Sequence, residues 1–325
     1  MATAIGVDTV TSISRRFILP SIVDAIYGSN PLFFRLVKNN KKMVQGGTQI
    51  EQPIAYAKPG VGGAYRGYEE LSTGAFDVIR NAAWDWKQYH MPVAVDGLTM
   101  IKTDSPEAIA NLLKTQFDLA KMQFCDMLGA DLYASTGTGP DAKKLDGLAI
   151  AVDNSGTYGD IDHSNSFWAS EVVSTQALSN LSIAQLQSMF GDLTVGREHP
   201  TILLARQEVY NWYWAQVYGS SGANYDIQIP AAGSDEILAQ AGFTNLLFNN
   251  VPLVVDSQVD GSGVGKLYML NENWFHLIVN SRADMGVEPF QTPVNQDAMV
   301  SQILWAGNLI CTMPRLQGVF EDLTV

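Results

Sequence analysis

Side chains that could bind a metal, activate a nucleophile or cradle a phosphate are few in this sequence. His90, His163, His199 and His276 stand apart, none with a second His or Cys at metal-ligand spacing, so each reads as structural. Gly261-Ser262-Gly263-Val264-Gly265-Lys266 resembles a phosphate loop. A true P-loop, however, has a longer gap between its glycines and Ser or Thr after the Lys, whereas Leu267 follows here; a hairpin turn is expected. Asp153-Asn154-Ser155-Gly156 opens like a calcium loop but lacks the later ligands and the closing Glu, which leaves a turn. No G-x-S-x-G elbow occurs, and the serines sit in polar loops with no base beside them. No catalytic residue, cofactor site or metal site is therefore expected. Cys125 falls in a helical pattern and Cys311 in an apolar run, as buried thiols of a reducing compartment do, with the cytoplasm as the default.

The composition points towards association. Charged residues make up 16% of the 325 positions, where about 25% is usual. Subunit interfaces are depleted in Lys, Glu and Asp and enriched in aromatics, so a surface short of charge suits a protein covered by copies of itself. The net charge of −13 disfavours a nucleic-acid binder, which needs a basic footprint. The cluster Lys38-Asn39-Asn40-Lys41-Lys42 carries too few charges to change that and reads as a solvated turn. No apolar run reaches the ~20 residues of a membrane span. Ser14-Arg15-Arg16-Phe17-Ile18-Leu19 resembles a twin-arginine signal only superficially, because Pro20, Asp24 and the missing cleavage site favour a structural N-terminal helix.

The elements that organise the chain follow from periodicity. Asp104 to Ser135 is predicted to be one long helix: Ser105 suits the N-cap, Pro106 the first turn and Glu107 the positive end of the dipole. Ile109, Leu112, Leu113, Phe117, Ala120, Phe124, Leu128 and Leu132 recur at three-to-four spacing on one face, along a rod of roughly 45 Å. Lys114, Asp118 and Lys121 fall on the wet side, at ion-pair spacing. Before this helix, two short helices (Ser21 to Tyr27 and Pro31 to Lys38) form an arm that must lie on the main body or on another subunit. Thr48 to Tyr56 and Phe76 to Val95 then alternate as two strands of a long hairpin with a glycine-rich tip. Such a hairpin is marginal alone, so Tyr56, Tyr65, Arg66, Tyr68, Trp84, Trp86 and Tyr89 are expected to contact a neighbouring subunit.

Beyond the long helix, Asp141 to Ala169 reads as a surface loop in which Gly147 to Ile150 is a short strand or turn. Ser182-Ile183-Ala184-Gln185 is a capping box that opens a helix whose Ile183, Leu186 and Phe190 share one face. Thr201 to Ala205 is a buried strand and Gln207 to Val217 a helix. Leu246 to Asp256 makes a hairpin about Asn249-Asn250, and Lys266 to Leu270, Trp274 to Val279 and Ala298 to Cys311 are further strands. The class is α+β.

In that order the parts resemble the major capsid protein of tailed bacteriophages, with the Hong Kong phage shell fold. The stretches that carry the resemblance most specifically are Phe248-Asn249-Asn250-Val251-Pro252-Leu253-Val254-Val255-Asp256, Leu267-Tyr268-Met269-Leu270-Asn271 and Ile303-Leu304-Trp305-Ala306-Gly307-Asn308-Leu309. The resemblance implies an N-terminal arm (1–46), an extended loop (47–97) and a peripheral domain (98–180) with a spine helix at 104–135. An axial domain (181–270) and returning strands shared by both domains (271–325) complete it. It implies a shell built of hexamers and pentamers around double-stranded DNA held without sequence-specific binding. Scaffolding, portal and decoration proteins are possible partners, no membrane is involved, and the location is the virion after assembly in the host cytoplasm. No scaffold-like segment precedes the arm, so a scaffold would be a separate protein. Some family shells crosslink a loop Lys to an Asn; Lys58 is the only Lys near the tip, and no partner Asn or activating acid is identifiable, so that chemistry is not carried over. The alternatives are an encapsulin-like nanocompartment shell, another virion structural protein, or a metabolic enzyme with an unrecognised site.

Overall fold

The structure is a computed structural model that describes residues 30–57, 63–70, 77–102, 106–175, 177–218, 245–259 and 265–324. The first expected arm helix, Ser105 at the long helix's start, Lys58 and residues 261–264 of the glycine-rich turn lie outside them. In chain order come helix α1 (Pro31–Asn39) and strands β1 (Lys41–Val44), β2 (Ile50–Ala55), β3 (Ile79–Trp84) and β4 (Lys87–Asp96). A short helix α2 (Gly97–Lys102) and the long helix α3 (Pro106–Ala134) follow, then the one-turn helix α4 (Leu148–Ala151) and strands β5 (Thr157–Tyr158), β6 (Ile161–Asp162) and β7 (Glu171–Ser174). Helix α5 (Ile183–Asp192), β8 (Ile202–Ala205) and α6 (Gln207–Tyr218) precede the closing strands. These are β9 (Asn245–Phe248), β10 (Val251–Val255), β11 (Gly265–Leu270), β12 (Phe275–Asn280), β13 (Gly286–Val287), β14 (Ala298–Cys311) and β15 (Gly318–Leu323).

Two sheets carry the chain. The first runs β1-β12-β14-β13, with β4 antiparallel along the outer part of β14 from Ala298↔Asp96 to Gly307↔Lys87. The long helix lies on this sheet. Ile109, Leu113, Phe117, Ala120, Phe124, Leu128 and Leu132 are all buried, as the three-to-four spacing requires, while Leu112 is half-buried at the edge of the stripe. Phe124 meets Tyr89 edge-on at 6.4 Å and Phe117 meets Phe290 at 6.1 Å. In β4 the burial alternates residue by residue, with Tyr89, Met91, Val93 and Val95 inward and His90 outward. Lys114, Asp118 and Lys121 do lie off the buried stripe, but no ion pair joins them.

The second sheet runs β7-β15-β11-β8-β10-β9 and has its own core, in which Leu186 and Met189 of α5, Val209 and Tyr213 of α6, and Leu203, Leu253, Leu267 and Phe320 meet. The capping box forms: Ser182 Oγ accepts from the Gln185 amide at 3.3 Å, and Gln185 Oε1 accepts from the Ser182 amide at 2.9 Å. Asn249 and Asn250 both take positive φ (48° and 66°), the backbone that a two-residue hairpin turn between β9 and β10 demands. Tyr133, near the end of the long helix, donates to Asp256 Oδ2 at 2.7 Å and so ties α3 to the end of β10.

The chain crosses between the sheets at Asn271–Trp274, because β11 belongs to one and β12 to the other. A dense polar knot sits there. Gln317 accepts from the Asn271 amide (2.8 Å) and donates to its carbonyl (3.3 Å), and Thr201 Oγ1 accepts from the Glu272 amide (3.0 Å). The Glu272 carboxylate accepts two charge-assisted bonds from Arg35 of α1, Nε at 2.6 Å and the guanidinium NH2 at 2.7 Å.

Several sequence-based expectations are corrected. The run Phe76 to Val95 is not one strand: β3 pairs only with β2, β4 joins the first sheet, and the break falls at Asp85-Trp86. Burial shows the cause, since the even residues Ala82 and Trp84 point inward before the break and the odd Lys87, Tyr89 and Met91 after it. A one-residue change of phase of this kind swaps faces. The basic cluster is not a solvated turn. Its end becomes β1, parallel to β12 from Lys41↔Leu277, and Lys41 pairs with Asp284 at 2.5 Å. Gly147 to Ile150 is neither strand nor turn: Gly147 is the N-cap of α4, and Leu148 to Ile150 are its first three residues. Glu171–Ser174, expected with the peripheral part, is an outer strand of the second sheet.

Phe124→Asp places a carboxylate where no water or partner reaches, and the lost packing alone is worth about 3 kcal/mol or more. The variant is expected to be insoluble or to melt far below the parent, and a soluble protein with parental melting would contradict the assignment of the helix face. Asp256 gives a pH-dependent prediction. Burial, the largest effect, holds its carboxyl above the usual value despite bonds from Gln258 and Tyr133. A carboxyl raised in the folded state adds stability below its unfolded pKa and loses it as pH rises through the folded one. Asp256→Asn is therefore expected to be at least as stable as the parent at pH 7, with the parent gaining on it as the pH falls; denaturant titration at pH 7 and pH 4.5 checks the sign.

Candidate assembly interface

The residues expected to contact a neighbour separate into three groups. Tyr65, Arg66 and Tyr68 stand exposed at the hairpin tip, Tyr68 completely and Tyr65 at 66%. The Arg66 amide donates to Glu69 Oε2 at 3.1 Å, a short-range bond that orders the tip. Tyr56 and Trp86 are half-buried. Tyr56 stacks on Phe167 at 5.1 Å and donates to the Asp77 carbonyl at 2.7 Å, while Trp86 Nε1 donates to the Gly47 carbonyl at 3.1 Å, so each keeps part of its ring open. Trp84 and Tyr89 are interior. Trp84 is 3% exposed and lies edge-on to Tyr158 at 5.6 Å; Tyr89 sits under the long helix against Phe124 and Trp305. Neither can reach another subunit without unpacking the first core. An aromatic pattern in a sequence does not distinguish a ring aimed at its own core from one aimed outward.

Among the described residues the ribbon of β2 and β3 has no third strand, and its register runs from Ile50↔Trp84 to Ala55↔Ile79. Its outer part is open: Glu51, Pro53, Ala55, Ile79, Arg80 and Asn81 are exposed. Its root is fixed by buried polar groups. The Ala83 amide donates to the Gly159 carbonyl at 3.2 Å. Asn308, with no exposed surface, donates through Nδ2 to the Asp85 carbonyl (3.0 Å) and to Asp146 Oδ2 (2.7 Å), and accepts through Oδ1 from the amides of Asp146 and Leu309 (both 2.9 Å). Lys87 donates to the carbonyls of Gly137 (3.1 Å) and Ala142 (2.8 Å) and lies 3.6 Å from Asp146 Oδ1. Burial raises the Asp146 pKa, opposed by the Asn308 bond and by Lys87. Gly137 needs to be glycine, because its φ is +61° and a Cβ would strike the Asp146 carboxylate. Next to this knot, the Tyr89 hydroxyl donates to Asp131 Oδ2 (3.0 Å) and accepts from the Leu145 amide (2.8 Å); burial above all pushes its pKa up. A cleft of about 220 Å³ opens at the root between Trp84, Lys87, Gly137, Asp146, Tyr158 and Asp160. The Lys87 ammonium group that lines it is already held by protein oxygens. Sequence reasoning missed the set Asn308, Asp146 and Lys87; three polar residues so far apart in the chain leave no local pattern.

Of the other groups considered for chemistry, His163, His199, Lys266 and Asp153 have structural partners. His163 Nδ1 lies 2.9 Å from the Ser155 carbonyl, and His199 Nδ1 lies 2.9 Å from the Pro200 carbonyl with its ring stacked on Phe190. His276 is half-buried, and burial, then Lys42, lowers its pKa. Lys266 of the glycine-rich stretch pairs with Glu321 at 2.7 Å. Asp153 Oδ1 accepts from the amides of Asn154 (2.7 Å) and Ser155 (3.2 Å), an Asx turn. Burial pushes the Cys311 thiol up to about 12, whereas Cys125 is half-buried. Among the described residues no cluster of His, Cys, Asp and Glu could hold a metal, and no helix is long and apolar enough to cross a membrane.

No protein-family model and no curated sequence matches the chain. Solved structures do. The chain is similar to one in the capsid asymmetric unit of cyanophage A-1(L), with a TM-score of 0.61, 16% identity, and coverage of 90% of this chain and 93% of that one. It is similar to a chain of the capsid of a native GTA particle, with a TM-score of 0.59, 9% identity, and coverage of 90% and 91%. It is also similar to a holo-encapsulin complex from Synechococcus elongatus, with a TM-score of 0.54, 12% identity, and coverage of 90% and 88%. The chain has the fold of phage capsid proteins, a mixed helix-and-sheet fold that the encapsulin shares.

Removing the Asn308 side chain tests the root. Asn308→Ala leaves the Asp85 carbonyl and Asp146 Oδ2 without their Asn308 donor and the Asp146 amide without its acceptor, while Lys87 stays beside Asp146 Oδ1, at about 1–3 kcal/mol per group left unpaired. Denaturant unfolding is expected to register the loss, and a midpoint equal to the parent's would show that the knot does not hold the hairpin.

Proposed function

We propose that this chain is a major capsid protein of a tailed bacteriophage, a structural subunit that self-assembles as hexamers and pentamers into an icosahedral shell around double-stranded DNA. The observation that carries the reading is the solitary ribbon. Two strands with no third are marginal in water, yet this pair projects from a rigid root, exposes Ile79, and ends in exposed Tyr65, Arg66 and Tyr68. A second copy is the economical cover, because in a closed shell every subunit both gives and receives the same contact. Tyr65, Arg66 and Tyr68 are the leading contact residues, with the open sides of Tyr56 and Trp86 behind them. Trp84 and Tyr89 leave the set. The fold likeness to capsid chains supports a shell role, and so does the low charge content.

The net charge of −13 fits a wall that encloses DNA without gripping it. On this reading the location is the virion, after assembly in the host cytoplasm, with scaffolding, portal and decoration proteins as further partners and no enzymatic activity. The encapsulin likeness keeps a nanocompartment shell as the second reading. Purified particles distinguish the two by content, nucleic acid in one case and a packaged protein in the other.

Replacing Ala57 to Ala75 by a short Gly-Ser turn removes the tip and leaves both cores. The shortened chain is expected to fold, with near-parental circular dichroism and melting, and to yield no closed shells by electron microscopy, because central aromatic anchors are each worth about 2 kcal/mol or more and the loss recurs at every subunit. Normal shells from this variant would refute the role of the hairpin tip as a contact between subunits.

A further inference from the structure

The cleft at the root of the hairpin is acidic. Asp85, Asp146 and Asp160 line it, with Lys87 as the cation among its lining residues. Lys87 is engaged by the carbonyls of Gly137 and Ala142 and by Asp146, which also accepts from Asn308, so the buried carboxylate is balanced. The two carboxylates at the mouth are not. Asp85 is exposed, and its side chain accepts from the neutral Gln49 amide at 2.9 Å. Gly159 and Asp160, both at positive φ (58° and 60°), make the two-residue turn between β5 and β6, and the Gly159 carbonyl bonds the Ala83 amide, which sets that turn against β3. Asp160 is exposed there, and among the described residues its carboxylate has neither hydrogen bond nor ion pair. Burial is the main cause that raises the Asp146 pKa, and the charge of Asp85 adds to it, as expected of a cleft short of positive charge.

A cation that suits this cleft stands at the other end of the ribbon. Arg66 is exposed at the tip, and among the described residues its guanidinium has no acid to pair with. The β2–β3 ladder runs from Ile50↔Trp84 to Ala55↔Ile79, roughly 17 Å at about 3.3 Å per residue, and so carries the chain away from its own root before the tip begins. We propose that Arg66 of one copy enters the root cleft of a neighbouring copy and pairs there with Asp85 and Asp160, so that each hairpin ends on the base of the next. This rests on the reading of the tip as a contact between subunits and names where that contact lands. At about 220 Å³ the cleft is smaller than the ~300–1,000 Å³ of a small-molecule pocket, and its size suits a single side chain. A guanidinium fits better than an ammonium, because its planar fork of donors can serve two carboxylates that come from different elements, the β3–β4 break and the β5–β6 turn. Opposite charges meeting at one point also fix the register of the two copies. The contact is head-to-tail, tip on root, and therefore repeats from copy to copy and closes into a ring where the rotation permits.

Two measurements on the full chain test this. An Arg–carboxylate pair keeps its Cβ atoms farther apart than the ~3.5–4.5 Å of a disulfide, so the first uses a short bis-maleimide. Arg66→Cys with Asp160→Cys, in a Cys125→Ser background, is treated under assembly conditions and analysed by denaturing electrophoresis and peptide mass spectrometry. Multimers joined between positions 66 and 160 of different chains are expected. Links only within one chain, or none, would overturn the proposal. Electron microscopy of the same samples separates it from the capsid reading: closed shells without the cross-chain link would sink the cleft contact alone, whereas the link without closed shells would keep the contact and sink the capsid reading. The second measurement exchanges the charges. Arg66→Glu brings like charges together and is expected to lower the yield of sedimentable assemblies several-fold with parental melting, because the exposed tip lies off both cores; adding Asp85→Arg in the same chain is expected to restore the yield. Parental yield from Arg66→Glu, or no recovery in the double variant, would overturn the pairing.

Discussion

The buried carboxylate of Glu272 is the constraint on which the architecture turns. It sits where the chain passes from one sheet to the other, and Arg35 is the cation that balances it. An ion pair this deep is not a cheap source of stability, since desolvating both partners costs about what their attraction returns, but removing either leaves a stranded charge. Its consequence is geometric. The bidentate guanidinium fixes α1 against the crossover, and the Asn40 side chain adds a bond to the Glu272 carbonyl. With α1 fixed, Lys41–Val44 enters the first sheet beside β12 in a single register. Gln317, bonded to both backbone groups of Asn271, then sets the start of β15 against the other sheet. One polar knot thus orients the arm and both sheets.

The hairpin illustrates how a rigid body presents a deformable part. Among the described residues its strands pair only with each other, so few contacts within the subunit dictate where the tip goes. The root is the opposite: Asn308, Asp146 and Lys87 are saturated by one another and by backbone carbonyls, and Trp84 is locked against Tyr158. A buried network with every member satisfied specifies one arrangement. The ribbon therefore leaves the body in a defined direction while its exposed aromatic tip remains available for a surface outside the chain. That division of labour suits a repeating assembly, in which the angle at the root sets where the neighbour must be.

Local periodicity was enough for the long helix, because every position of its buried stripe is dictated by the spacing of apolar residues alone. The same holds for the capping box at Ser182 and the Asn249-Asn250 turn, where two or three adjacent residues contain the whole physical reason. The α+β class and the order of parts were legible for that reason. What the sequence could not decide were matters of pairing between distant segments. Nothing near Asp85-Trp86 announces that the inward face changes from even to odd residues; the switch is imposed by β14, some two hundred positions away, and it turned Trp84 and Tyr89 from interface candidates into core residues. Lys41 and Lys42 look like a solvated turn until β12 offers an unpaired edge. The polar root joins residues 85, 87, 146 and 308, whose chemistry becomes a site only when the folded sheet places them within hydrogen-bond reach.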